Sequence, residues 1–90
     1  MQLTDKVTIP TQILARQIGE ETVILDLEGG TYFGLDPVGT RIWQLFGEGK
    51  PLVKICDVMM IEYDVSRDVI ERDVMKILDE LVALGLIVPA

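Results

Sequence analysis

Residues 21–46, ETVILDLEGGTYFGLDPVGTRIWQLF, decide the fold. They read as strand, tight turn, strand and then an abrupt start of helix. Val23, Leu25 and Leu27 alternate with Ile24 and Asp26, the period of an extended chain with one face buried. Glu28-Gly29-Gly30 supplies residues that tolerate positive φ, so the chain reverses there. Residues 31–35 (TYFGL) return as an aromatic, β-favouring strand. Asp36 is a good cap for the amides of a following helix, and Pro37 fits a first helical position that needs no amide hydrogen. Val38, Ile42, Leu45 and Phe46 then share one helical face, with Trp43 beside it. A strand is delivered directly onto a helix.

Outward from this stretch the same logic places the other elements. ILARQI at 13–18 reads as a preceding strand, with Gly19-Glu20 as the turn into residues 23–27. Three strands joined by short connections imply an antiparallel meander. The first helix spans 37–46 and stops at Gly47-Glu48-Gly49. Pro51 opens a second, 52–63, with Leu52, Ile55, Cys56 and Met59 on one stripe. Ser66 caps a third, 67–84, which Gly85 ends. Its core seam reads Ile70, Val74, Ile77, Leu78, Leu81 and Leu84, widened by Met75 and Val82. Val69, Asp73, Lys76 and Glu80 make a mixed stripe on the other flank, which spacing alone assigns to solvent. Residues 1–11 form a lead-in or short edge strand, and Leu86-Ile87-Val88 packs back onto the domain. The expected class is α+β: one winged-helix-like domain, a three-stranded antiparallel sheet followed by three helices.

Charge and composition exclude several functions. The chain has 90 residues, a formal charge of −7 and no histidine, which disfavours a nucleic-acid binder that works through lysine and arginine on phosphates. The third helix carries Asp68, Glu71, Asp73, Asp79 and Glu80 against Arg67, Arg72 and Lys76, so a winged-helix DNA-binding regulator is the weaker alternative. The single cysteine, Cys56, forms no internal disulfide and sits on an apolar helix face, a packing position rather than a nucleophile's. No signal peptide and no membrane-length apolar run is visible, so the reading is a cytoplasmic protein. Asp57, Glu62 and Asp64 read as a solvated face rather than metal ligands, and Gly29-Gly30 as a turn rather than a phosphate loop. No catalytic residue, metal site or cofactor is expected, and the chain reads as a non-enzyme. A protein or peptide binder remains. The outer strand at 31–35 has a free edge rich in β-formers, a hazard unless something pairs with it.

The run VILDLEGGTYFGLDPVGTRIWQL at 23–45 resembles the PqqD-like family, the leader-peptide recognition domains of ribosomal-peptide biosynthesis. Its most specific piece is Tyr32-Phe33-Gly34-Leu35-Asp36 followed by Gly39-Thr40-Arg41-Ile42-Trp43. Pro51-Leu52, Tyr63-Asp64-Val65, Asp73-Val74, Leu78-Asp79-Glu80-Leu81 and Gly85-Leu86-Ile87 agree with it. Within the family the chain is most similar to the stand-alone domains of lasso-peptide pathways. A peptide chaperone for the radical enzyme of pyrroloquinoline quinone synthesis is the alternative. The resemblance implies that a precursor's leader adds as a strand beside Thr31, Tyr32, Phe33, Gly34 and Leu35. It also implies that the leader lies against Val69, Asp73, Lys76 and Ile77 of the third helix, with Asp73 and Lys76 able to fix a polar group such as a tyrosine hydroxyl. The partners it implies are a cysteine-protease-like leader peptidase and an ATP-dependent cyclase, with no nucleic acid and no membrane. It leaves open an edge-strand homodimer when no leader is present.

Overall fold

The computed structural model describes residues 2 and 5–89. Its order is β1 (Val7–Thr8), β2 (Ile13–Ile18), β3 (Glu21–Asp26), β4 (Tyr32–Leu35), α1 (Pro37–Gly47), α2 (Leu52–Glu62), α3 (Arg67–Ala83) and β5 (Val88–Pro89). β2, β3 and β4 form the antiparallel meander in that order. Three helices follow, as the sequence implies.

Each hairpin is set by a few local groups. Gly19 takes φ +63° at the first of the two turn residues between β2 and β3, where a side chain would be strained. Between β3 and β4, Asp26 Oδ1 accepts from the amides of Glu28 (3.0 Å) and Gly29 (3.1 Å), closing the reversal with a side chain. Gly30, at φ +71°, then donates its amide to the Asp26 carbonyl at 2.8 Å.

The helix ends follow the same economy. Asp36 Oδ1 accepts from the Gly39 amide at 2.8 Å, and Ser66 Oγ from the Val69 amide at 3.4 Å. At the end of α3 the Leu86 amide donates to the Leu81 carbonyl (2.9 Å) and the Gly85 amide to that of Val82 (3.0 Å), the paired bonds of a Schellman stop. The start of α2 has no side-chain cap; the Leu52 amide instead donates to the Asp5 carbonyl in the lead-in, at 3.0 Å.

The core lies between the sheet and the helices. Ile24 reaches it from β3, Ile42, Leu45 and Phe46 from α1, Leu52, Ile55, Cys56 and Met59 from α2, and Val74, Leu78 and Leu81 from α3. Burying each large aliphatic side chain contributes roughly 1.5–3 kcal/mol. Arg67 ties the last two helices together. Its guanidinium pairs with Asp57 on α2 and, at 2.9 Å, with Glu71 one turn along α3. These bonds, to Asp57 first and then Glu71, raise the already high pKa of Arg67.

Three expectations need correction. β3 turns Thr22 and Ile24 inward, with Asp26 half-buried, while Val23 and Leu25 face solvent and Leu27 lies beyond the strand. Apolar residues stand on both faces of this strand, and the pairing register together with the helices decides which face is covered. Of the seam expected on α3, Leu84 is 45 % exposed, since it is the cap beyond the helix, and Ile77 is half-buried, since it borders the open depression beside β4. Asp57 and Glu62 are not simply solvated, since Arg67 and Arg41 hold them. The lead-in holds a short strand and the tail packs back, as the sequence implies, and the two pair with each other. β1 pairs with β5 in a separate two-stranded ribbon, while Leu86 and Ile87 are buried beneath. Residues 1, 3 and 4 of the lead-in lie outside the described residues.

Candidate functional site

β4 is the outer strand of its sheet, so one side of its backbone faces no other strand of the meander. The Asp26 amide donates to the Thr31 carbonyl at 2.9 Å, which fixes the phase of the ladder. Antiparallel pairing alternates from there. Phe33 and Leu35, opposite Ile24 and Thr22, bond inward to β3; Tyr32 and Gly34, opposite Leu25 and Val23, turn their main-chain groups outward. Side chains alternate as well. Leu35 is buried and Phe33 half-buried on the helix side, whereas Tyr32 is 76 % exposed on the outer face.

α3 stands off this edge and leaves a cleft. One depression of ≈ 230 Å³ is lined by Phe33, Gly34, Leu35, Asp36, Gly39, Ile77 and Glu80. It runs into a second of ≈ 330 Å³ bounded by Asp36, Val38, Asp73, Lys76, Ile77 and Glu80. The helical wall is a single stripe, because residues 73, 76, 77 and 80 are spaced three and four apart. Gly39 keeps the floor low. A Cβ there would meet the Leu35 side chain at 3.1 Å and the Asp36 cap at 3.3 Å.

The rim carries three carboxylates, Asp36, Asp73 and Glu80, around one ammonium, Lys76. Asp36 is committed to its cap. Among the described residues no ion pair involves Asp73, Lys76 or Glu80, so these three are available to a ligand. The same residues include no group of three or more histidine, cysteine or acidic side chains placed to hold a metal, and no helix long and apolar enough to cross a membrane. What the cleft offers is a hydrogen-bonding strand, an apolar floor and a polar rim. That is equipment for holding an extended chain.

Residues 21–87 match the family described as coenzyme PQQ synthesis protein D (PqqD). The chain belongs to the PqqD family. No curated protein matches it. Among solved structures it is similar to TbiB1 in complex with the TbiA(beta) leader peptide, at 43% identity and TM-score 0.84, covering 88% of this chain and 92% of that one. It is also similar to a lasso peptide synthetase B1 complexed with its leader peptide, at 25% identity and TM-score 0.85, covering 93% and 99%.

In this PqqD-family chain, the residues singled out from the sequence fall into three groups. Phe33, Gly34, Leu35, Asp73, Lys76 and Ile77 come together around the cleft. Thr31 and Tyr32 lie along the strand edge rather than in the cleft walls. Val69, 38 % exposed, lies one turn before Asp73 and lines neither depression. Sequence reasoning missed Asp36, Val38, Gly39 and Glu80 as lining residues. Glu80 was within reach, since the sequence already sets it on one stripe with Asp73 and Lys76. Asp36 and Gly39 were hidden behind their plainer duties at the start of α1.

Proposed function

We propose that the chain binds the leader segment of a ribosomally synthesised precursor peptide in lasso-peptide biosynthesis. The leader adds as a strand to β4, and its alternate side chains enter the cleft against α3. The observation that carries this reading is the outward-facing backbone of Tyr32 and Gly34 directly beside a cleft whose rim offers the uncommitted charges of Asp73, Lys76 and Glu80. Two similar solved structures, both with leader peptides, support it. They favour the lasso pathway over a chaperone role in pyrroloquinoline quinone synthesis.

Affinity then comes from main-chain hydrogen bonds and apolar contact with Phe33, Leu35 and Ile77, and selectivity from Asp73, Lys76 and Glu80. Ordering a free leader takes back part of that energy. The domain performs no chemistry of its own. It works in the cytoplasm, raising the local concentration of the precursor for a cysteine-protease-like leader peptidase and an ATP-dependent cyclase. The test is calorimetric titration of a synthetic peptide carrying the leader of its cognate precursor into wild-type protein and into Tyr32→Pro. Saturable binding that Tyr32→Pro weakens supports the reading; binding that ignores this substitution overturns it.

A further inference from the structure

Gly34 has no explanation within the chain. Its φ is not positive, so the backbone does not require glycine there. A Cβ at this position would meet nothing within 4 Å, so no neighbour requires it either. Glycine inside a strand weakens it and often marks a place where a ligand comes close. Gly34 shares the outer face of the sheet with Val23 and Arg16, one row from Tyr32, Leu25 and Leu14. This face turns away from the helices and, Arg16 apart, exposes apolar side chains around Gly34: Leu14 is 55 % exposed, Val23 40 % and Tyr32 76 %. A bare notch therefore opens from the β4 edge onto exposed apolar side chains.

Any strand that pairs with that edge must set every second side chain on this outer face. We infer that the bound peptide is read on both faces of the sheet, with a large apolar or aromatic side chain opposite Gly34 lying across the notch onto Val23 and against Tyr32. An aromatic ring covering a glycine on the neighbouring strand is a familiar way to pin register. Here it would select the peptide's alignment as well as its composition. The inner residues enter the cleft beside α3, and the outer ones are chosen by the notch. This rests on β4 being the edge to which the leader adds.

A library of random 12-residue peptides displayed on phage tests both layers. Selection is run on the wild type, Tyr32→Pro, Gly34→Val and Val23→Thr, with thermal melts of each protein. In peptides retained by the wild type and lost on Tyr32→Pro, large apolar residues should recur in two interleaved registers. Gly34→Val should melt no lower than the parent, yet shift the outward register to small residues and weaken wild-type-selected peptides about fivefold or more. Val23→Thr should weaken the same peptides about two- to fivefold. A preference in one register only, unchanged by Gly34→Val, overturns the two-faced reading and leaves strand addition standing. Peptides held equally by Tyr32→Pro overturn strand addition on β4, and the inference with it.

Discussion

Arg41 on α1 clamps Glu62 at the end of α2 with two nearly parallel bonds, Nε to Oε1 and Nη2 to Oε2, each 2.8 Å. Arg41 also reaches Gln44 at 3.2 Å, and Gln44 donates to Gln17 on β2 at 2.9 Å, so one polar chain joins sheet, first helix and second helix. The Arg41 bond holds the Glu62 carboxyl below its ordinary pKa. A group lowered on folding contributes stability above its unfolded pKa and loses it as pH falls through the folded one. At about one-third exposure the pair is worth roughly 0.2–1 kcal/mol. Glu62→Gln should therefore cost a few degrees at pH 7, and the gap to the parent should close below about pH 4. Melting curves across pH check this; a gap constant down to pH 2 would show that the clamp contributes nothing through charge.

Phe46, near the C-terminal end of α1, is 2 % exposed. Phe46→Ala should cost about 3–5 kcal/mol, a large share of the stability of a domain this size. Chemical denaturation should show a lower midpoint with an unchanged slope.

The first two residues of β4 should respond oppositely to proline. Tyr32 points its amide away from β3, so Tyr32→Pro should leave the ladder intact and weaken leader binding about tenfold or more. Phe33 points its amide into the ladder, so Phe33→Pro should chiefly lower the melting temperature. Equal melting of the two variants would mean that the phase of the β3–β4 ladder is wrong.

On the helix wall, Asp73 and Lys76 are exposed and belong to no ion pair among the described residues. Asp73→Ala and Lys76→Ala should each raise the leader's dissociation constant while shifting melting by less than about 0.5 kcal/mol. Parallel titrations and melts separate the two effects.

Cys56 is completely buried, and burial pushes its thiol pKa up against the opposing pull of Arg67. A raised pKa stabilises the fold below the unfolded thiol's value and is lost as pH rises through the folded one, so the alkaline limb of stability should begin near pH 8.5. Iodoacetamide should label Cys56 only when the protein unfolds. Rapid labelling of folded protein at pH 8 would contradict its burial.

Much of this fold was legible because its decisive signals are local. Asp36-Pro37, Ser66 and Gly85 mark helix ends through groups a few residues apart. The face of β3 was not legible, since Val23 and Leu25 are as apolar as Ile24 and only the packed helices choose between them. The β1–β5 ribbon was hidden for a different reason. Two residues pair with two others at the far end of the chain, and neither pair carries a pattern of its own. In the cleft, the stripe of Asp73, Lys76 and Glu80 followed from helical spacing, but its assignment to a site, and the addition of Ile77 from the core seam, came from family resemblance rather than from charge. Gly34 lay in plain view, but only the register revealed that its open side faces away from the helices.

That ribbon makes the chain enter and leave at one place, with Val7 opposite Pro89. A module hung from a single point can be spliced into a longer polypeptide, or rejoined end to end and reopened in a loop, with little disturbance to its interior. The hinge of such an arrangement would be a ladder in which β4 takes no part. The free edge of β4 would stay clear of the junction whichever side of the domain a fused enzyme occupied in the gene.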